Sequence, residues 1–333
     1  MEVRLTMSTK TTGEKQSKKL SSLINYFEVC NRSEGKSAKT VSWYSSNLQQ
    51  FHHYLQTRHL SDSIEDIDLQ TLREYVIFLQ NKKKYAGHPY TPEKIEFVSV
   101  ATVHGHLRTL RAFFSWLMRE GLAKYDPGRS LKPPKLPQRI VSTLSDEEIK
   151  LIINMLNPTS ACDARNLTIF MLLLDTGLRI RELTNLKMED INMDQGVLKV
   201  MGKGQKERIV PIGNSAQRSL QKYLFRYRQE PAHAGIDNVF LSTSGTPLTE
   251  NSVKLMFTRM ARRSGVIRLH AHLCRHTFAT RFLINGGDVF SLQQILGHST
   301  LEVVRHYVNL ASSHITMQHR RFSPLDRLDL RKT

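Results

Sequence analysis

Between residues 131 and 139 the chain runs Leu-Lys-Pro-Pro-Lys-Leu-Pro-Gln-Arg, and no helix or central strand can pass through it. Each proline lacks a backbone donor, fixes its own φ and pushes the residue before it toward extended conformations. The stretch reads as a stiff linker, so the segments on either side must each close a core of their own. On the N-terminal side Val41, Tyr44, Leu48, Phe51 and Leu55 recur at three- and four-residue intervals, and Val103, Leu107, Leu110, Phe114 and Leu117 repeat the device. Such stripes make amphipathic helices over 38–57 and 98–119, with further helices expected near 18–30 and 69–81. On the C-terminal side, Ser145-Asp-Glu-Glu148 is a capping box that opens a new helix. Helices are expected beyond it at 164–175, 179–187, 215–229, 250–263, 273–284, 289–296 and 300–311. One β signal interrupts them. Residues 196–212 carry two β-rich runs around Gly202-Lys203-Gly204, whose glycines permit the positive φ of a tight hairpin. The expected fold class is mainly α with a small β-sheet or hairpin, in two domains, a division that a length of 333 residues also favours.

Charge narrows the partner. The chain carries 48 Lys and Arg against 30 Asp and Glu, a formal net charge of +18 shared evenly by the halves on either side of residue 140. A globular chain this basic points to a polyanion, with nucleic acid the first suspect. Lys82, Lys83 and Lys84 in a loop, and Arg108 and Arg111 beside the stripe of 98–119, are candidate DNA contacts, although a charged row is also what an ordinary solvated face looks like. Cys30, Cys162 and Cys274 are too few and too scattered for a disulfide framework or a zinc ribbon, which suits a reducing compartment. The start has no apolar core, so no signal peptide is expected, and the longest apolar run, Leu167–Leu174, is far short of the ~20 residues that span a bilayer.

Four local patterns could carry chemistry. In Thr176-Gly-Leu-Arg-Ile-Arg-Glu-Leu183, Gly177 can end one helix while Arg179 opens the next, which places a guanidinium at a junction; a plain C-cap followed by a solvated Arg–Glu pair fits equally. Lys203 at the hairpin tip is either a mobile proton donor or an exposed turn lysine, and no P-loop surrounds it. In Leu269–Phe278, His272, Arg275 and His276 fall near one helix face. His270, His272, Cys274 and His276 resemble a metal set only superficially, because alternate residues on a helix diverge and Arg275 adds a fixed cation. Finally, Leu296-Gly-His-Ser-Thr300 ends a helix at Gly297 and places His298 in a turn, with Tyr307 about two turns into the next helix. Taken together, two arginines, a lysine, two histidines and a tyrosine suit a phosphodiester. The arginines can clamp the non-bridging oxygens, the lysine can protonate a departing oxygen, and a cationic pocket can make the phenol nucleophilic. No Asp/Glu cluster offers itself to Mg²⁺, and no cofactor or metal is expected.

At these residues the sequence resembles the tyrosine recombinases, the phage-integrase and Xer family. TGLRIREL, KGQKERIVPI after Gly202, HLCRHTFAT and LGHSTLEVVRHY match its successive boxes in order, over about residues 145–311. The segment LRTLRAFFSWLMREG is similar to part of the family's helical core-binding domain. The resemblance implies catalytic roles for Arg179, Lys203, His272, Arg275, His298 and the nucleophile Tyr307, with Glu182 as their support. It implies a helical core-binding domain and a mixed α/β catalytic domain closing around DNA as a C-shaped clamp. The implied organisation is a flexible segment 1–16, a SAM-like DNA-binding domain 17–130, a linker 131–143, a catalytic domain 144–315 and a tail 316–333 that either docks on a neighbouring protomer or folds on its own domain. The implied activity is site-specific strand exchange in double-stranded DNA, without metal or ATP, through a 3′-phosphotyrosine and a Holliday junction. The implied assembly is a homo-tetramer with a dimer on each site, served by accessory DNA-bending proteins, in the bacterial cytoplasm and not at a membrane. Two other readings share part of this pattern: a type IB topoisomerase-like relaxing enzyme and a DNA-binding repressor on the same fold. Two departures stand out, Cys274 where leucine is commoner and Arg181 where a small residue is frequent. With so short an N-terminal extension, the arm-binding domain of larger integrases is not expected.

Overall fold

The computed structural model describes residues 19–87, 90–135, 142–156, 160–202 and 206–297, together with 319 and 323. The chain divides into two compact units, Met1–Gln138 and Arg139–Thr333.

The first unit is built from α1 (Leu20–Ser33), α2 (Ala38–Thr57), α3 (Leu69–Gln80) and α4 (Val100–Arg119). Three of these helices start where a short polar side chain satisfies an exposed amide: Ser37 accepts from the Thr40 amide at 3.2 Å, Asp68 from Thr71 at 2.8 Å and Ser99 from Thr102 at 3.2 Å. The stripes face inward as their spacing requires. Val41, Leu48, Phe51 and Leu55 of α2 and Val103, Leu107, Leu110, Phe114 and Leu117 of α4 are all buried, while Tyr44 is partly so. Phe27 of α1 meets Phe113 edge-on at 5.4 Å. Two polar pairs cross this core: Asn47 donates to Thr109 at 2.9 Å, and the Tyr75 hydroxyl lies 3.1 Å from His106 Nδ1.

The basic loop after α3 has more structure than its composition suggests. Residues 82–84 and 96–98 form an irregular antiparallel pair, held by main-chain bonds from Lys84 to Glu96 at 2.8 Å and from Val98 to Lys82 at 2.8 Å. Across it Lys83 pairs with Glu93 at 2.9 Å and Lys84 with Glu96.

The second unit comprises α5 (Asp146–Met155), α6 (Ala161–Thr176), α7 (Ile180–Asn185), the strands β1 (Ile191–Asn192), β2 (Val197–Met201) and β3 (Glu207–Pro211), then α8 (Asn214–Lys222), α9 (Glu250–Ser264), α10 (Ala271–Ile284) and α11 (Val289–Leu296). The strands form one antiparallel sheet in the order β1-β2-β3, with Leu198 opposite Val210 and Val200 opposite Arg208. Leu198, Val200 and Val210 point into a core shared with Ile169, Phe170 and Leu173 of α6, Phe257 of α9 and Leu273 and Cys274 of α10. Cys274 is fully buried, so its thiol packs as a small apolar group, and burial pushes its pKa up.

Two elements depart from the sequence expectation. The edge strand β1 was not expected at all. The helix expected at 215–229 stops at Lys222 and continues as one π-helical turn over Tyr223–Tyr227. The cause lies in tertiary contacts: Tyr223 stacks on Phe240 at 5.4 Å, and the Arg228 guanidinium donates to the carbonyls of Asn238 and Val239 at 2.8 and 3.1 Å. The helix expected at 300–311 and the hairpin tip lie outside the described residues. Among the described residues no helix is long and apolar enough to cross a membrane.

Candidate active site

The site begins with the way α6 ends. Gly177 takes φ +63° and closes the helix, and a Cβ there would lie 2.6 Å from Phe278 Cδ1 and 2.8 Å from Leu296 Cδ2. Glycine is therefore needed both for the backbone conformation and for the close approach of α10 and α11. The chain leaves this turn through buried Leu178 and reaches Arg179, the N-cap residue of α7.

Glu182, three residues into α7, is the hub of the charged network. Its carboxylate accepts four hydrogen bonds: the Arg179 amide at 2.9 Å, Arg179 Nη1 at 2.8 Å, Arg208 Nη1 at 2.9 Å and Arg208 Nη2 at 2.8 Å. Burial alone would raise the Glu182 pKa, but the hydrogen bonds from Arg208 and Arg179 outweigh it and hold the group below the usual carboxylate range. Arg208 on β3 makes a bidentate pair and sends its remaining Nε–H to the Ile295 carbonyl at 2.8 Å. The Glu182 and Arg208 side chains are only 4% and 12% exposed, whereas Arg179 is 35% exposed and presents its outer side to solvent.

Helix α10 contributes the second arginine. Arg275 is 2% exposed and braces two helix ends at once, donating from Nη1 to the Gly177 carbonyl and from Nη2 to the Leu296 carbonyl at 2.8 Å. Both carbonyls belong to C-termini closed by left-handed glycines, Gly177 and Gly297, where outward carbonyls concentrate negative partial charge. On the next turn, the rings of His272 and His276 meet edge-on with centroids 4.6 Å apart. The His272 pKa is lowered, first by burial and then by the charges of Arg275, His270 and Arg179. Burial, followed by the neighbouring histidines and Arg275, brings His276 down to about 4. Both imidazoles are thus neutral at pH 7.

Of the residues singled out from sequence, Arg179, Glu182, His272 and Arg275 come together around the Gly177 turn. Lys203, His298 and Tyr307 lie outside the described residues. The strands leading to the Lys203 tip are closed by a bond from the Gly202 amide to the Lys206 carbonyl at 2.8 Å, and Gly297 ends α11 just before His298. The remaining candidates, Lys82, Lys83, Lys84, Arg108 and Arg111, belong to the first unit. Lys83 and Lys84 are ion-paired, Arg108 lies over the Trp43 ring at 5.2 Å, and Arg111 donates to the carbonyls of Gly128, at 3.3 Å, and Leu131. Arg111 thereby holds the approach to the linker in place. Sequence reasoning missed Arg208. The signal was available, because Arg208 shares the inward face of β3 with Val210, and a cation on a buried face requires a partner. Among the described residues no group of three His, Cys, Asp or Glu side chains is arranged to hold a metal ion.

Comparison with known proteins places this geometry. A family model described as "Phage integrase family" matches residues 142–314, and one described as "Phage integrase, N-terminal SAM-like domain" matches 23–121. The chain is 31% identical to Tyrosine recombinase XerC of Bacillus pumilus, across 86% of this chain and 90% of that protein. It is 29% identical to Tyrosine recombinase XerD of Listeria innocua, across 87% and 94%. Among solved structures, the Tn1549 transposon integrase in complex with transposon right end DNA superposes with a TM-score of 0.70 at 19% identity, covering 91% of this chain and 99% of that one. The XerH site-specific recombinase bound to a palindromic difH substrate gives 0.67 at 21%, covering 90% and 84%. A lambda integrase dimer bound to a core site gives 0.64 at 21%, covering 86% and 97%. At these identities the structural likenesses establish the fold.

Proposed function

The chain belongs to the phage integrase family of tyrosine recombinases, and from that membership we propose how its residues divide the work of strand cleavage. It is a site-specific DNA recombinase, an enzyme that cleaves and rejoins DNA strands at a recombination site. In the proposed reaction the Tyr307 phenol oxygen attacks the scissile phosphorus as its proton passes to a neighbouring base, a role open to the neutral imidazole of His272. An O–P bond forms to the 3′ side and the bond from phosphorus to the 5′ oxygen breaks. Lys203, on the hairpin, gives the departing 5′ oxygen its proton. Arg179 and Arg275 stabilise the negative charge that accumulates on the two non-bridging oxygens. His272 and His298 border the phosphate. His272, neutral at pH 7, can take a hydrogen bond or a proton there. The phosphotyrosine keeps the energy of the broken ester, so religation to a partner strand needs no ATP. Strand exchange then runs through a Holliday junction within a tetramer, with a dimer on each site and accessory DNA-bending proteins as further partners.

The observation that carries this reading is the clustering at the Gly177 turn. One turn brings Arg179, anchored on Glu182, beside Arg275 and two neutral histidines, and this set suits a phosphodiester better than a metal or an acyl group. Covalent trapping on a nicked-fragment library of the source genome tests it. Wild-type protein, incubated without added metal, is expected to form a denaturant-resistant adduct at one sequence class, and Tyr307→Phe should bind equally well and form none. Adducts on all fragments would mean relaxation without site choice. Absence of any adduct from the wild type would overturn the reading in favour of a binding protein on a recombinase fold.

A further inference from the structure

We propose that Arg208 is a positioning residue for strand cleavage: it fixes Glu182, and through it the Arg179 guanidinium, without touching DNA itself. This rests on the assignment of Arg179 to the scissile phosphate and adds a residue to that assignment. The geometry runs in one line. Both carboxylate oxygens of Glu182 are taken by the two terminal nitrogens of Arg208, at 2.9 and 2.8 Å, so the carboxylate cannot turn about its own bond. Arg208 cannot turn either, because its Nε–H is bonded to the Ile295 carbonyl at 2.8 Å. Its stem passes so close to Gly297 that a Cβ there would come within 3.1 Å of Arg208 Cδ. A plane fixed at three points then offers Arg179 Nη1 an immobile acceptor at 2.8 Å.

The identity of the residue follows from the same geometry. Lysine has one nitrogen on a flexible stem; it can neutralise Glu182 but cannot make a bidentate pair and reach Ile295 as well. Arg208 also sits on β3, which leads back to the hairpin tip, and contacts the last turn of α11, which leads on to His298. One guanidinium therefore ties together the bases of three segments that carry proposed site residues. An ion pair serving stability alone would not need to be shared with Arg179.

The test compares a phosphate and a racemic methylphosphonate at the cleaved position of the nicked duplex recovered by trapping. The methylphosphonate lacks one negative oxygen, so its cleavage depends less on a well-placed guanidinium. Wild type, Arg179→Ala, Arg208→Lys and the double variant Arg208→Met/Glu182→Gln, which removes both buried charges together, are compared after thermal melts confirm folding. Arg208→Lys is expected to slow phosphate cleavage by about 10–100-fold, part of the ~100–1,000-fold typical of losing one transition-state donor. It should slow methylphosphonate cleavage much less, so the phosphate-to-methylphosphonate rate ratio falls as it does in Arg179→Ala, and the double variant should show the same fall. Equal slowing on both substrates in Arg208→Lys and the double variant, with Arg179→Ala still discriminating, would overturn the role of Arg208 alone. If Arg179→Ala does not discriminate, its own assignment fails and the inference falls with it.

Discussion

A side chain's neighbours decide what its chemistry becomes. His106 of α4 is buried against the Tyr75 hydroxyl, and burial followed by the charge of Lys82 brings its pKa down to about 4 from the ordinary 6.5. Between those values the unfolded chain binds a proton that the folded chain refuses, so stability is fully present above about pH 6.5 and is lost as pH falls toward 4. The loss at this one site should reach about 3 kcal/mol once the pH is below 4. Denaturant midpoints measured from pH 7 to 4 are expected to fall across this window, and to fall less steeply in His106→Gln, which has nothing there to titrate. The candidate site was legible in the same uneven way. Arg179, Glu182, His272 and Arg275 could be named because each lies in a short run with its own turn or cap signal. Arg208 carries a weaker signal: its inward place on β3 calls for a partner, but only the fold decides that the partner is Glu182, 26 residues away.

At the scale of elements, local chemistry was a good guide wherever the element closes on itself. The capping box of α5 is present in full: the Glu148 amide donates to Ser145 Oγ at 3.2 Å, and the Ser145 amide donates to the Glu148 carboxylate at 2.9 Å. Glu148 also forms a bidentate pair with Arg268, so the cap ties the start of α5 to the residues just before α10. Ser145→Ala is expected to cost about 1 kcal/mol, read as a lower denaturant midpoint with an unchanged slope. Elements set by distant contacts were not legible. Strand β1 is two residues long and exists because β2 pairs with it, and the π-helical turn at Tyr223 exists because Phe240 and the 238–239 carbonyls hold it. The antiparallel pairing of 82–84 with 96–98 is likewise set by distant contacts, invisible in a run that composition marks only as basic.

At the scale of the whole molecule, each unit encloses its own core and each is large enough to bury one. Residues 1–138 produced alone are expected to unfold in a single cooperative transition by circular dichroism, with the fluorescence of Trp43 and Trp116 following the same curve; non-coincident curves would mean that this unit depends on the rest of the chain. The Arg275 brace bears on how such a molecule can change over generations. Its two described acceptors are main-chain carbonyls, those of Gly177 and Leu296, and no point mutation can delete a carbonyl. Lineages can therefore exchange the side chains around this arginine in search of new target sites while its anchorage is inherited intact. What they cannot exchange without strain are the two left-handed glycines that turn those carbonyls toward it.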